Sequence, residues 1–81
     1  MNRDEVFDLV RSHLAEELEV EPAQIGEGTR FKDDLGADSL DLYELVMELE
    51  DQYGISVSEE QAAQIATVGD AVAFVLEHAP A

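Results

Sequence analysis

LGADSLDLYELVMELE, Leu35 to Glu50, is the stretch that decides how this chain folds. Asp38 and Ser39 are both good helix caps, and Asp41 adds negative charge to the first turn, where the helix dipole favours it. Leu42, Leu45, Val46 and Leu49, continued by Tyr53, recur at three- and four-residue intervals and so share one inward face. Gly54 suits the left-handed residue that closes such a helix, with Ile55 making the hydrophobic contact after it. The spacing predicts a helix from Ser39 to Tyr53.

That helix has more apolar surface than one core face needs. Leu40, Tyr43 and Met47 form a second row, and Asp41, Glu44, Glu48 and Asp51 form an acidic row beside it. A single buried stripe accounts for the first set alone. Either the helix lies at the centre of the domain, wrapped by neighbours, or the second row is an exposed strip rimmed by carboxylates, which is how a docking surface looks.

Outward from this stretch, three more helices can be read. Toward the N-terminus, Asn2 and Glu5 have capping-box spacing, and Phe7, Val10, Leu14 and Leu18 form one face of a helix ending near Glu19. A long connection follows, from Val20 to Ala37, marked by Pro22, Gly26, Gly28 and Gly36. Pro22 can open a single helical turn, and Ile25, Phe31 and Leu35 are spaced to pin the loop on the core. Toward the C-terminus, Ser58 to Gln61 reads as a capping box opening a short helix through about Ile65. Thr67 to Asp70 opens another, with Ala71, Val72, Val75 and Leu76 as its buried stripe. Pro80 prevents continuation. No strand alternation of useful length appears. The expected fold is all-α: a small four-helix bundle, three longer helices and one short one, with a long first loop, forming a single domain over residues 1–81.

Composition narrows the function. With 81 residues the chain has room for one modest core. Twenty acids against four bases give a formal net charge of -16, and no Lys or Arg follows Lys32. Nucleic-acid binding is not expected, because that half has nothing to neutralise phosphates. The field favours basic partner surfaces, or it simply keeps a small protein soluble. Without Cys there is neither a thiol nucleophile nor a zinc–thiolate site. His13 and His78 are isolated and read as surface residues near helix ends, so no metal site is expected. The N-terminal residues lack the order of a signal peptide, and no apolar run is long enough to insert in a membrane. A cytoplasmic monomer is the expectation.

Ser39 poses the chemical question. Its position alone gives it a capping role. No His stands near it in sequence, and there is no Gly-x-Ser-x-Gly elbow, so nucleophilic catalysis has no support. Ser58 heads a capping box, Ser12 lies within the first helix and Ser56 in a connection. A hydroxyl at a helix start is well placed to carry a phosphate ester, since free N–H groups and the dipole favour an anion. The flanking carboxylates oppose it, so the site must be exposed enough for solvent to screen them.

The stretch from Leu35 to Val72 resembles the acyl carrier proteins of dissociated bacterial fatty acid synthases. Asp38-Ser39-Leu40 carries the resemblance together with Leu35-Gly36, Glu44-Leu45-Val46, Leu49-Glu50 and Ile65-Ala66-Thr67-Val68. The resemblance implies that Ser39 receives 4′-phosphopantetheine from coenzyme A through a phosphopantetheinyl transferase. It further implies that the arm's thiol bears growing acyl chains, and that the protein catalyses nothing itself. Synthases, reductases, dehydratases and acyltransferases become its partners. Asp38, Leu40, Asp41, Tyr43, Glu44, Met47 and Glu48 become its recognition set. It also implies that an acyl chain enters between the helices, with Phe7, Phe31, Leu45, Val46, Leu49, Ile65, Val72 and Val75 as candidate walls. Tyr43 departs from the small aliphatic residue usual there, and Leu42 from a smaller or polar one. A stand-alone carrier of polyketide metabolism shares the serine motif and is the alternative. Calcium sensing is disfavoured because Asp33-Asp34-Leu35-Gly36 lacks the order of a calcium loop, and a nucleic-acid mimic has no use for the Ser39 motif.

Overall fold

A computed structural model describes residues 2–79. The helices are α1 (Arg3–Leu18), α2 (Ser39–Tyr53), α3 (Glu59–Ala63) and α4 (Val68–His78), with a single 3₁₀ turn at Pro22–Gln24 between α1 and α2. The all-α expectation holds, with three longer helices and one short one. Pro80 lies outside the described residues.

Capping chemistry sets most of the boundaries. Ser58 accepts the Gln61 N–H and the Gln61 side chain accepts the Ser58 N–H, while Thr67 and Asp70 do the same for α4. At α1 only half of the expected box forms: the Asn2 side chain accepts the Glu5 N–H at 2.9 Å. Glu19 ends α1 in the left-handed region at φ 55, and Gly54 ends α2 there at φ 64. α3 stops at Ala63, earlier than expected. A tighter turn in which the Ile65 N–H donates to the Ala62 carbonyl then drops Ile65 into the core.

The core runs through Val6, Val10 and Leu14 of α1, Leu45 and Leu49 of α2, and Val68, Ala71, Val72 and Val75 of α4. α1 packs most extensively on α4. Two expected core positions shift. Val6 is the buried residue at the start of α1, whereas Phe7 lies at the margin with the Arg11 guanidinium 5.2 Å from its ring centre, and Leu18 is half-buried. Leu76 is exposed on α4, where Val68 supplies the residue that fills the stripe. A four-residue period starting at Val6 fits the core better than one starting at Phe7, because it keeps Val10 and Leu14 in line.

The long connection is ordered by what it touches. Ile25 and Phe31 are buried as expected, with Leu35 half-buried. Backbone bonds then tie the loop to the start of α4: Phe31 N–H to Ala66 carbonyl (3.1 Å), Val68 N–H to Thr29 carbonyl (2.9 Å) and Gly69 N–H to Glu27 carbonyl (2.7 Å). Gly69 is required by this approach, since a Cβ there would lie 2.9 Å from the Glu27 carbonyl oxygen. Arg3 of α1 closes the same corner by pairing with the Glu27 carboxylate.

Candidate functional site

α2 begins with a reciprocal pair that leaves its first hydroxyl out. The Asp38 carboxylate accepts the Asp41 N–H at 3.0 Å, and the Asp41 carboxylate accepts the Asp38 N–H at 3.1 Å. Asp38 is therefore the cap. Ser39, to which position alone would give that role, is the first helical residue, and its exposed hydroxyl takes part in neither bond.

The second row of α2 is solvent-exposed: Leu40 is 64%, Tyr43 45% and Met47 57% accessible. Among the described residues no neighbour wraps this side of the helix, which excludes a central helix as the reason for its extra apolar surface. The acids flank the row. Asp38 and Asp51 are exposed, and Asp41, Glu44 and Glu48 are half-buried. Glu48 accepts a hydrogen bond from the Gln52 amide at 3.2 Å. Glu44 instead turns toward α1. A hydrogen bond with Glu17, together with Glu17's like charge, raises its carboxyl above the ordinary range, and His13 pulls weakly the other way.

That contact assembles a cluster that sequence spacing hid, because Glu17 belongs to another helix. Carboxylate oxygens of Glu17, Asp41 and Glu44 all lie within 4.8 Å of one another. Acidic groups this close are common on so negative a surface, and the trio alone does not define a metal site. His13 differs from its expected place. It sits half-buried within α1, its Nε2 enclosed without a hydrogen-bond partner among the described residues. His78 is exposed at the end of α4, as expected, with its ring stacked on Phe74 at 4.0 Å.

A cavity of about 390 Å³ opens beside Ser39, between the loop before α2, α2 itself and α3. Phe31, Ala62 and Ile65, all buried, form its inner wall; Ser39 and Tyr43, both exposed, stand at its rim. Of the residues expected to wall an acyl chain, Phe31 and Ile65 line this space. Leu45, Leu49, Val72 and Val75 lie in the closed core, Val46 is buried, and Phe7 sits at the core margin. Arg30 and Lys32 line the cavity as well, which the sequence reading did not anticipate. Their signal was present: two bases just before the Ser39 motif in a chain that has four.

The phosphopantetheine attachment site family matches residues 8–75. The solved structure of an acyl carrier protein from Enterococcus faecalis matches with a TM-score of 0.83 and 38% sequence identity, over 98% of this chain and 100% of that one. The chain belongs to the acyl carrier protein family. As an acyl carrier protein it is a carrier rather than a catalyst, and the group its family bears is 4′-phosphopantetheine. The residues present fit such a group, since an exposed hydroxyl, released from capping by its neighbour, stands at the edge of a partly apolar cavity. Family membership also implies that a phosphopantetheinyl transferase acts on the chain. Among the described residues no helix is long and apolar enough to cross a membrane.

Proposed function

We propose that this protein is the acyl carrier of fatty acid synthesis, bearing 4′-phosphopantetheine on Ser39. The observation that carries the reading is the division of labour at the start of α2. Asp38 and Asp41 satisfy the cap between them, so the Ser39 hydroxyl is exposed and uncommitted. Once bound, the group supplies a thiol that holds acyl chains as thioesters, which a chain without Cys lacks. The protein's own part is to present and to exclude. Leu40, Tyr43 and Met47 offer apolar contact, and Asp38, Asp41, Glu44 and Glu48 draw basic enzyme surfaces toward the serine.

The partners in this reading are the transferase that loads Ser39 and the acyltransferases, ketoacyl synthases, reductases and dehydratases that work on the cargo. The reading takes residues 1–81 as one domain, monomeric and cytoplasmic, without nucleic-acid partners. The LGADSLDLYELVMELE pattern supports the fatty acid pathway over the polyketide one. Incubation with coenzyme A and a phosphopantetheinyl transferase tests the attachment: intact mass gains one arm, and Ser39→Ala gains none. Continued modification of the Ala variant removes Ser39 from its role. Acylation by fatty acid enzymes but not polyketide ones tests the pathway.

A further inference from the structure

Lys32 is the sole lysine of the chain and its last positive charge. It lines the cavity that also holds Ser39, as does Arg30. The two bases are not equally available. The Arg30 guanidinium is held by Asp34 at 3.2 Å and Asp33 at 3.4 Å, and the Arg30 N–H donates to Asp34 at 2.8 Å. Lys32 is exposed and forms no ion pair with a described residue.

An anion esterified to Ser39 meets a contested environment. The first turn of α2 offers free N–H groups and a positive dipole end, but Asp41 has already given its N–H to Asp38. Asp38 and Asp41 also place two carboxylates at the helix start, and their repulsion offsets the dipole. A compensating cation must come from the cavity rim, where Arg30 is committed to two acids. An ammonium on a flexible four-carbon stem, with three donors, suits a phosphate that needs charge more than planar geometry.

We infer that Lys32 pairs with the phosphodiester joining the prosthetic arm to Ser39 and holds the arm's first atoms against the α2–α3 cavity. This rests on the assignment of Ser39 made above. Lys32 is a positioning residue in this role, and neither the transfer of the arm nor the chemistry of the thiol needs it.

The test uses protein labelled with ¹³C-lysine, in which Lys32 gives the only ε-CH₂ signal. Wild type, Lys32→Ala and Lys32→Arg are treated with coenzyme A and a phosphopantetheinyl transferase, and intact mass reports whether one arm has been added. In loaded wild type the Lys32 signal moves from its unloaded position and returns at about 1 M salt, where screening acts over roughly 3 Å. Local motion of the phosphodiester, read by ³¹P relaxation, increases about two- to fivefold in Lys32→Ala, the range an exposed ion pair supports, and Lys32→Arg restores it. If the arm is added but the Lys32 signal stays fixed, or the three proteins relax alike, the inference is overturned while Ser39 keeps its role. Failure of wild type to gain an arm overturns the Ser39 assignment and this inference with it.

Discussion

Glu17 on α1 and Glu44 on α2 place carboxylate oxygens within 4.8 Å of one another, so the helix that carries Ser39 meets its neighbour through two groups of like charge. Hydrogen bonding with Glu17, and then its like charge, raise the Glu44 pKa. Over the pH range just above its ordinary value the folded chain therefore binds more protons than the unfolded one, and stability falls as pH rises through that range. Below the ordinary value both states are protonated and the contribution vanishes. Glu44→Gln should accordingly be more stable than the parent at neutral pH and equal to it in acid. Urea midpoints measured against pH will show this, and the difference should shrink with salt because Glu17 is exposed and Glu44 only half-buried.

Replacing Asp38 should weaken the fold, and replacing Ser39 should not. Asp38→Ala removes the acceptor for the Asp41 N–H and should cost about 1 kcal/mol, a typical loss for a helix cap. Ser39→Ala should stay within about 0.5 kcal/mol of the parent. Equal losses in urea unfolding would mean that the serine shares the capping work.

Gly69→Ala reverses the usual rule. In an exposed helix the change favours the helix by up to about 1 kcal/mol. Here the new Cβ would meet the Glu27 carbonyl oxygen at 2.9 Å, and that atom is backbone. The variant should lose about 1–3 kcal/mol, the range for forced overpacking. A melting temperature at or above the parent's would show that the loop and α4 can part at no cost.

Met47→Ala should separate binding from folding. Its side chain is 57% accessible and outside the core cluster, so thermal stability should hardly change. Affinity for a ketoacyl synthase should fall by about fivefold or more if Met47 is an anchor of the docking strip, as a loss above about 1 kcal/mol implies. Tyr43→Val tests the neighbouring ring. Turnover should broaden across partner enzymes if Tyr43 narrows their choice.

Association with those enzymes should slow as salt is added, because charges on the α2 rim act over roughly 8 Å at physiological ionic strength. Stopped-flow association rates across a salt series measure this directly. Rates that do not respond to salt would leave the rim without a steering role.

The sequence was informative where the physics is local. The bounds of α2 and the caps at Ser58 and Thr67 follow from side chains that bond within three residues, which a linear reading can see. Asp38 and Ser39 have equal chemical claims to the cap in the sequence, and only the extended backbone of Asp38 with its reciprocal bonds to Asp41 decides between them. The choice of Val6 over Phe7 turns on one helical position at the edge of a broad apolar face, where periodicity discriminates poorly. Contacts between distant segments were invisible: Glu17 with Glu44, Arg30 with Thr67, and the bonds from Glu27 and Thr29 to α4. The cavity is a product of those contacts, and so is the presence of Lys32 beside Ser39.

The attachment of the long loop to α4 has a bearing on how cargo would be felt. Phe31 is at once an inner wall of the cavity and a donor to Ala66, and two residues before it Thr29 receives the Val68 N–H. A guest that pushes Phe31 outward must therefore loosen the junction with α4, where Ala66 lines the same cavity as the serine. Deuterium uptake at the amides of Phe31 and Val68 would then distinguish a filled carrier from an empty one without any probe on the cargo itself.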